Sequence, residues 1–208
     1  MTAVFSRVDP ARRIASLAGL CSLALIAGAL FFQYGVGVKP CEMCHWQRWP
    51  HLAAAVAALV IAPLLKTGSR VALMVATAFV LLGLLATYQM GMLNVWQAQL
   101  LAAIVAGLFI SPAWTGNARR LTWTVIGLIA ISGLIGAYQT GMQLHILPGP
   151  SSCTGHRFIL GSNMVPDVQC DVLTPSQVVF GLSLASYNAI FSLLIAFVAG
   201  VLLLKRRA

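Results

Sequence analysis

The residues best equipped for chemistry are two cysteines set two residues apart, in the run Cys41-Glu42-Met43-Cys44, which continues into His45-Trp46-Gln47-Arg48. Close thiol pairs suit redox chemistry, because proximity makes thiol–disulfide exchange intramolecular and the local field can lower the pKa of one thiol. The pair encloses almost no chain, so stapling explains it poorly. A second pair, Cys153 and Cys170, flanks Thr154 to Gln169, a stretch that includes Gly155, Gly161, Ser162, Asn163 and Pro166. A bridge there would close a loop with a chain-entropy contribution of about 3 kcal/mol. From spacing alone it reads first as a structural staple. The fifth cysteine, Cys21, lies between Leu20 and Ser22 in an apolar run and reads as a small buried hydrophobe.

The elements that must position these thiols are apolar. Of 208 residues, 60% are hydrophobic and only 8% are charged, with a mean hydropathy of +0.90. A soluble domain carries roughly 25% charged residues, so lipid is the expected solvent for much of this surface. Apolar runs at 14–34, 46–65, 71–90, 95–113, 121–140 and 178–204 each approach the roughly 20 residues that cross a bilayer as a helix. The fold class expected is all-α, a polytopic transmembrane helical bundle of about six spans.

The net charge of +9 is a topology signal rather than a mark of nucleic-acid binding. Arg7, Arg12, Arg13, Lys66, Arg70, Arg119, Arg120, Lys205, Arg206 and Arg207 fall on one side of a six-span arrangement. Lys39, Arg48 and Arg157 fall on the other, with Glu42, Asp167 and Asp171. By the positive-inside rule both termini are cytoplasmic. The first span is too long for a signal-peptide core, and Phe31-Phe32-Gln33-Tyr34 is a poor cleavage site, so it is expected to be retained.

With that orientation Cys41, Cys44, Cys153 and Cys170 all face the non-cytoplasmic side, which is oxidising in bacteria. Trp49-Pro50-His51 reads as the start of the second helix, since Pro is favoured in a first turn. Cys44 is then expected just before a helix N-terminus, where unpaired N–H groups and the dipole favour an anion. Arg48 adds a positive charge. By itself Arg48 is an interfacial arginine reaching for lipid phosphates; beside a dithiol it becomes a clamp for a polarised oxygen such as a quinone carbonyl. Trp46 and Trp49 read as interfacial anchors that could also wall a flat ring pocket. A dithiol and a guanidinium at a membrane surface suggest electrons passing between protein thiols and an acceptor dissolved in the bilayer.

The run Cys41 to His45 also spells C-x-x-C-H, the attachment pattern for c-type haem. The gap between the first two spans is too short to enclose a porphyrin, and the second cysteine pair would go unused. A b-type haem needs histidines deep in spans, whereas His45, His51, His145 and His156 read as loop or span-edge residues. Zinc would rest on a single CxxC plus loop histidines, and no metal is expected.

An internal echo separates two of the spans from the rest. Gly83-Leu84, Tyr88-Gln89 and Gly91-Met92 recur fifty residues later as Gly133-Leu134, Tyr138-Gln139 and Gly141-Met142. Residues 71–118 therefore read as a duplicated or inserted helical hairpin within a single membrane domain covering 1–208. Only the second copy leads into a long loop with cysteines, at 141–177. Phe158, Ile159, Leu160 and Val165 make that loop more apolar than a solvated connection requires, as for a strip lying on the bilayer or docking a partner.

Three sets of residues resemble the DsbB family, bacterial membrane proteins that reoxidise the periplasmic dithiol oxidase DsbA and pass electrons to quinone. They are Cys41-x-x-Cys44-x-x-Gln47-Arg48, the loop Pro148-Gly149-Pro150-Ser151-Ser152-Cys153-Thr154-Gly155, and Cys170 ahead of Gly181-Leu182-Ser183-Leu184-Ala185 with Asn188. The resemblance implies a four-helix core, 14–66 and 121–204, in the bacterial inner membrane, with the redox loop 141–177 in the periplasm. It implies that Cys153 takes the attack of a DsbA-like partner, that Cys170 then exchanges with Cys41, and that Cys44 is released facing the quinone. Arg48, with Gln47 and Cys44, would hold the quinone, ubiquinone or menaquinone. A vitamin K epoxide reductase-like thiol protein and a haem-binding electron carrier are the alternatives. The sequence departs from the family pattern in its extra hairpin and in Gln139, where relatives often carry His; His145 is a candidate substitute for that proton carrier.

Overall fold

The computed structural model describes residues 9–61, 118–150, 153, 169–173 and 175–205. Four long helices run through them: α1 (Pro10–Leu30), α2 (Glu42–Val56), α3 (Ala118–Gln143) and α4 (Leu184–Lys205). The first two each continue into a π-helical turn, Phe31–Gly35 and Ala57–Ile61. Among the described residues, three helical segments are long and apolar enough to cross a membrane: Pro10–Gly35, Ala118–Gln143 and Leu184–Lys205. The expected spans at 71–90 and 95–113 lie outside the described residues.

Side-chain contacts fix the helix directions. Thr122 near the start of α3 donates to the Ala11 carbonyl near the start of α1 (2.9 Å), and Arg119 donates to the Leu203 carbonyl near the end of α4 (2.9 Å). Gln139 near the end of α3 meets Gln47 near the start of α2. Consecutive described helices are therefore antiparallel. α2 ends and α3 begins at the same end of the bundle.

α1 starts where its sequence dictates. The Asp9 carboxylate accepts from the Ala11 N–H (2.9 Å), and Pro10 occupies the first turn, where its missing N–H costs nothing. Its buried stripe, Ala11, Ile14, Ala15, Ala18 and Ser22, follows helical spacing. Small residues let helices approach closely, as is common where lipid surrounds a bundle. A Cβ on Gly136 of α3 would lie 2.9 Å from the Ala185 carbonyl oxygen and 3.0 Å from the Ala189 nitrogen of α4. An apolar core of Ile14, Leu121, Val125, Ile129 and Leu203 fills the end where α1 and α3 begin.

Two expected boundaries are corrected. α2 starts at Glu42 and not near Trp49, with Cys41 as its N-cap and Pro50 inside it. The Cys41 sulfur accepts from the Cys44 N–H (3.3 Å) and so takes the cap's place, with the acidic Glu42 in the first turn. The last run, expected as helix over 178–204, begins instead with a short hairpin: β1 (Val178–Val179) pairs antiparallel with β2 (Leu182–Ser183). The turn residues Phe180 (φ 47°) and Gly181 (φ 81°) are both left-handed, as a two-residue hairpin turn requires. Ser183 then caps α4 by accepting from the Ser186 N–H (3.1 Å).

Candidate functional site

Four cysteines meet at the start of α2. Cys41, Cys153 and Cys170 are buried together with Met142, and Cys44 packs half-buried against them. The Cys41 and Cys44 sulfurs lie 2.8 Å apart as thiols in contact. The Cys170 N–H donates to the Cys153 carbonyl (3.1 Å), which brings the two cysteine-bearing loop segments side by side. The Cys170 thiol lies within hydrogen-bonding reach of both Cys41 and Cys153 and of the Met43 backbone. The sulfurs thus run in the order Cys153, Cys170, Cys41, Cys44.

Their acidities alternate. Cys41 is raised well above an ordinary thiol, because it hydrogen-bonds with Cys170 and with Cys44 while burial disfavours its charge. Cys44 is lowered, chiefly by the bond from Cys41, with help from the Gln139 amide and the Arg48 charge, against the opposing effect of burial. Cys170 is lowered too, again chiefly by Cys41 and then by Cys153 and the Met43 backbone. Cys41 is the proton-bearing thiol between two more acidic ones.

Beside Cys44 opens a cavity of about 380 Å³. Its wall is mostly apolar, with Leu25, Phe32, Val179, Leu184 and Phe191, and its polar members include Cys44, Gln47, Arg48, His51 and Gln139. Arg48 donates to the Gln33 side-chain oxygen in the turn after α1 (2.5 Å). Gln47 donates to the Gln139 oxygen (2.6 Å), and the Gln139 amide in turn faces the Cys41 sulfur (3.2 Å) and the Cys44 sulfur (3.8 Å). The structure brings together Cys41, Cys44, Cys153, Cys170, Gln47 and Arg48. Cys21 stands apart, exposed on the outer face of α1.

Against families of known proteins, the model described as "Disulfide bond formation protein DsbB" matches residues 11–100 and 95–202. The chain belongs to the DsbB family. It is similar to "Disulfide bond formation protein B 1" of Pseudomonas entomophila, 40% identical over 62 residues, 30% of this chain and 37% of that protein. The protein of the same name from Pseudomonas putida is 44% identical over 57 residues, 27% of this chain and 34% of that one. "Disulfide bond formation protein B" of Haemophilus influenzae is 35% identical over 60 residues, 29% and 34% of the two chains. These alignments span little more than a third of the relatives' length. No solved structure matches the chain.

Within this DsbB-family chain, sequence reasoning misplaced His51. It is not a span-edge residue: it is 2% exposed, in the body of α2. Its Nδ1 meets the Ser22 hydroxyl of α1 (3.1 Å), and its Nε2 meets the Asn188 side-chain oxygen (3.0 Å) and the Ser192 hydroxyl (3.0 Å) of α4. Asn188 donates its amide to the Ser132 carbonyl and hydroxyl of α3 (3.2 Å each), so its oxygen must face the imidazole. The signal was present as an ionisable residue flanked by apolar sequence, with Ser and Asn inside neighbouring spans. His145, the expected substitute for a family histidine, is exposed in the turn after α3 and is not part of the cavity wall.

Proposed function

We propose that this chain is a quinone-dependent, disulfide-generating oxidoreductase of the bacterial inner membrane. It reoxidises a periplasmic DsbA-like dithiol protein and passes the electrons to ubiquinone or menaquinone. The observation that carries this reading is the unbroken order of four sulfurs ending at a cavity whose wall holds Arg48. Family membership supports the disulfide chemistry. The antiparallel course of the helices supports 14–66 and 121–204 as a core whose two ends lie on one side, cytoplasmic in the proposed six-span arrangement. The shared end of α2 and α3 fits an even number of crossings between them, none or the two of a proposed hairpin at 71–118.

The cavity suits a quinone. An apolar wall accepts a flat ring and its tail, and Arg48 and Gln47 offer donors to carbonyl oxygens. Gln143, also in the wall, has a buried side-chain oxygen with no partner among the described residues, an acceptor matched to the hydroxyl of a reduced quinone. Bound there, the quinone supplies the acceptor for two electrons and two protons.

The thiol steps follow from acidity and order. The partner's thiolate attacks Cys153 of a Cys153–Cys170 disulfide, forming a mixed disulfide and releasing Cys170 as thiolate. Cys170 attacks Cys41 of the Cys41–Cys44 disulfide, and Cys44 leaves where the Gln139 amide and the Arg48 charge favour a thiolate. The partner's second thiol resolves the mixed disulfide and frees Cys153, which retakes Cys170 and releases Cys41. The Cys41–Cys44 dithiol then gives two electrons and two protons to the quinone and closes again. Overall, one dithiol and one quinone become one disulfide and one hydroquinone.

The test mixes the purified full chain with a short-chain quinone and a reduced DsbA-like dithiol protein, following quinone absorbance. Quinone loss should match partner disulfide formed, one for one, and Cys44→Ser should abolish it. No quinone loss with the native chain, or undiminished loss with Cys44→Ser, would sink the reading.

A further inference from the structure

We propose that Gln139, held in place by Gln47, sets the reduction potential of the Cys41–Cys44 pair by donating its amide hydrogens to the two sulfurs. The inference rests on reading those cysteines as a redox pair, and on nothing about the partner.

Three observations carry it. First, the amide reaches both sulfurs, at 3.2 Å from Cys41 and 3.8 Å from Cys44. Second, its orientation is fixed. Gln47 donates to the Gln139 oxygen at 2.6 Å, which leaves the Gln139 NH2 group facing the thiols; with Gln47 in that orientation, reversing Gln139 alone would set two donors face to face. Third, Gln139 is 2% exposed, so water does not take over the donor's role. A hydrogen bond to a charged acceptor is stronger than one to a neutral acceptor. A thiolate gains more from the amide than a disulfide sulfur does, and Gln139 therefore stabilises the reduced form. That makes the disulfide a stronger oxidant. The amide does not titrate, so the donor itself is present at every pH, unlike a histidine at the same place, and its bias grows as Cys44 ionises.

Gln139 acts through the thiols and is a positioning residue, so the test reads their equilibrium and not turnover. The full chain with Cys153→Ser and Cys170→Ser, leaving one titrating pair, is equilibrated in detergent with mixtures of reduced and oxidised dithiothreitol. In that exchange the reagent dithiol closes to its ring disulfide as the Cys41–Cys44 disulfide becomes two thiols, so electrons and protons balance. Alkylation mass counts the thiols. Gln139→Met keeps the volume and removes the donor; the constant for forming the dithiol should fall about tenfold, a potential about 30 mV more negative. The pH midpoint of Cys44 alkylation should rise with it. Gln47→Met leaves the donor but frees it to turn, and should shift the potential the same way by less. Potentials within twofold in exchange constant of the parent for Gln139→Met, or for Gln47→Met where Gln139→Met does not fold, would overturn the proposal. A parent chain with no reversible dithiol–disulfide equilibrium would instead remove the redox-pair reading, and this proposal with it.

Discussion

Replacing His51 by Leu removes a polar clasp that ties three helices at the level of the cavity. The imidazole makes three hydrogen bonds, to Ser22 of α1 and to Asn188 and Ser192 of α4. Hydrogen bonds between membrane helices average about 0.6 kcal/mol each, so three give roughly 2 kcal/mol. The loss is uneven. Ser192 still donates to the Asn188 oxygen (3.1 Å), and Asn188 still donates to Ser132 (3.2 Å), so the α3–α4 side keeps its bonds. Ser22, fully buried, loses its contact with α2. The damage should therefore fall on the contacts of α2 with α1 and α4 and leave the α3–α4 contact intact. The assay is reversible unfolding of the purified chain in mixed detergent micelles, titrated with a denaturing detergent. His51→Leu should unfold with about 2 kcal/mol less stability. His51→Gln, able to accept from Ser22 and donate to Asn188, should recover more than half. A His51→Leu chain as stable as the native one would refute the clasp, and equal losses in both variants would refute the hydrogen-bond account of it.

Two further predictions use other parts of the bundle. Cys44, held below the ordinary thiol range by the bond from Cys41 first, should be alkylated by iodoacetamide with a pH midpoint below that of the same thiol in the unfolded chain. The rate rises with pH through the folded pKa, so the native chain should lead the unfolded one at neutral pH, and coincident profiles would contradict the lowered acidity. Gly136→Ala places a methyl 2.9 Å from the Ala185 oxygen and 3.0 Å from the Ala189 nitrogen, backbone atoms that cannot rotate away. It should cost about 1–3 kcal/mol as an overpacked contact. Gly127→Ala, with nothing within 4 Å of its new Cβ, should instead gain up to about 1 kcal/mol of helix propensity. Like signs in the same unfolding titration would remove the close α3–α4 approach from the explanation.

The helices were legible where composition decides them. The runs read as 14–34 and 121–140 fall within Pro10–Gly35 and Ala118–Gln143. Boundaries set by local polar contacts were not. Cys is not among the usual N-caps, so Cys41 at the head of α2 had no sequence mark, and Pro50 pointed to a later start. Val178-Val179-Phe180-Gly181-Leu182 reads as the opening of a span, yet two left-handed residues turn it into a hairpin. The buried stripe Gln47, His51, Ala54 and Ala55 has plain helical spacing and was readable once α2 is known to begin at Glu42. The order of the four sulfurs was not readable by spacing. It depends on the loop after α3 folding back over the start of α2, a contact between residues more than a hundred positions apart.

That fold-back explains why Cys41 stands at a helix cap. An N-cap side chain turns to its own first turn, so the Cys41 sulfur is held against the Cys44 N–H and beside the Cys44 sulfur. Its other side is left to Cys170. A thiol in that position shares its proton with both neighbours, which raises its own pKa and lowers theirs. On the proposed route this placement fixes which sulfur is attacked. Cys170 lies against Cys41, and exchange there expels Cys44 beside the Gln139 amide, the Arg48 charge and the cavity, groups that favour the departing thiolate. The same cap geometry that starts α2 thus sends the released thiolate towards the cavity and not back into the loop. On the proposed route, direction comes from the place of Cys41 at the end of a helix, with Gln139 and Gln47 proposed to set how far the equilibrium leans.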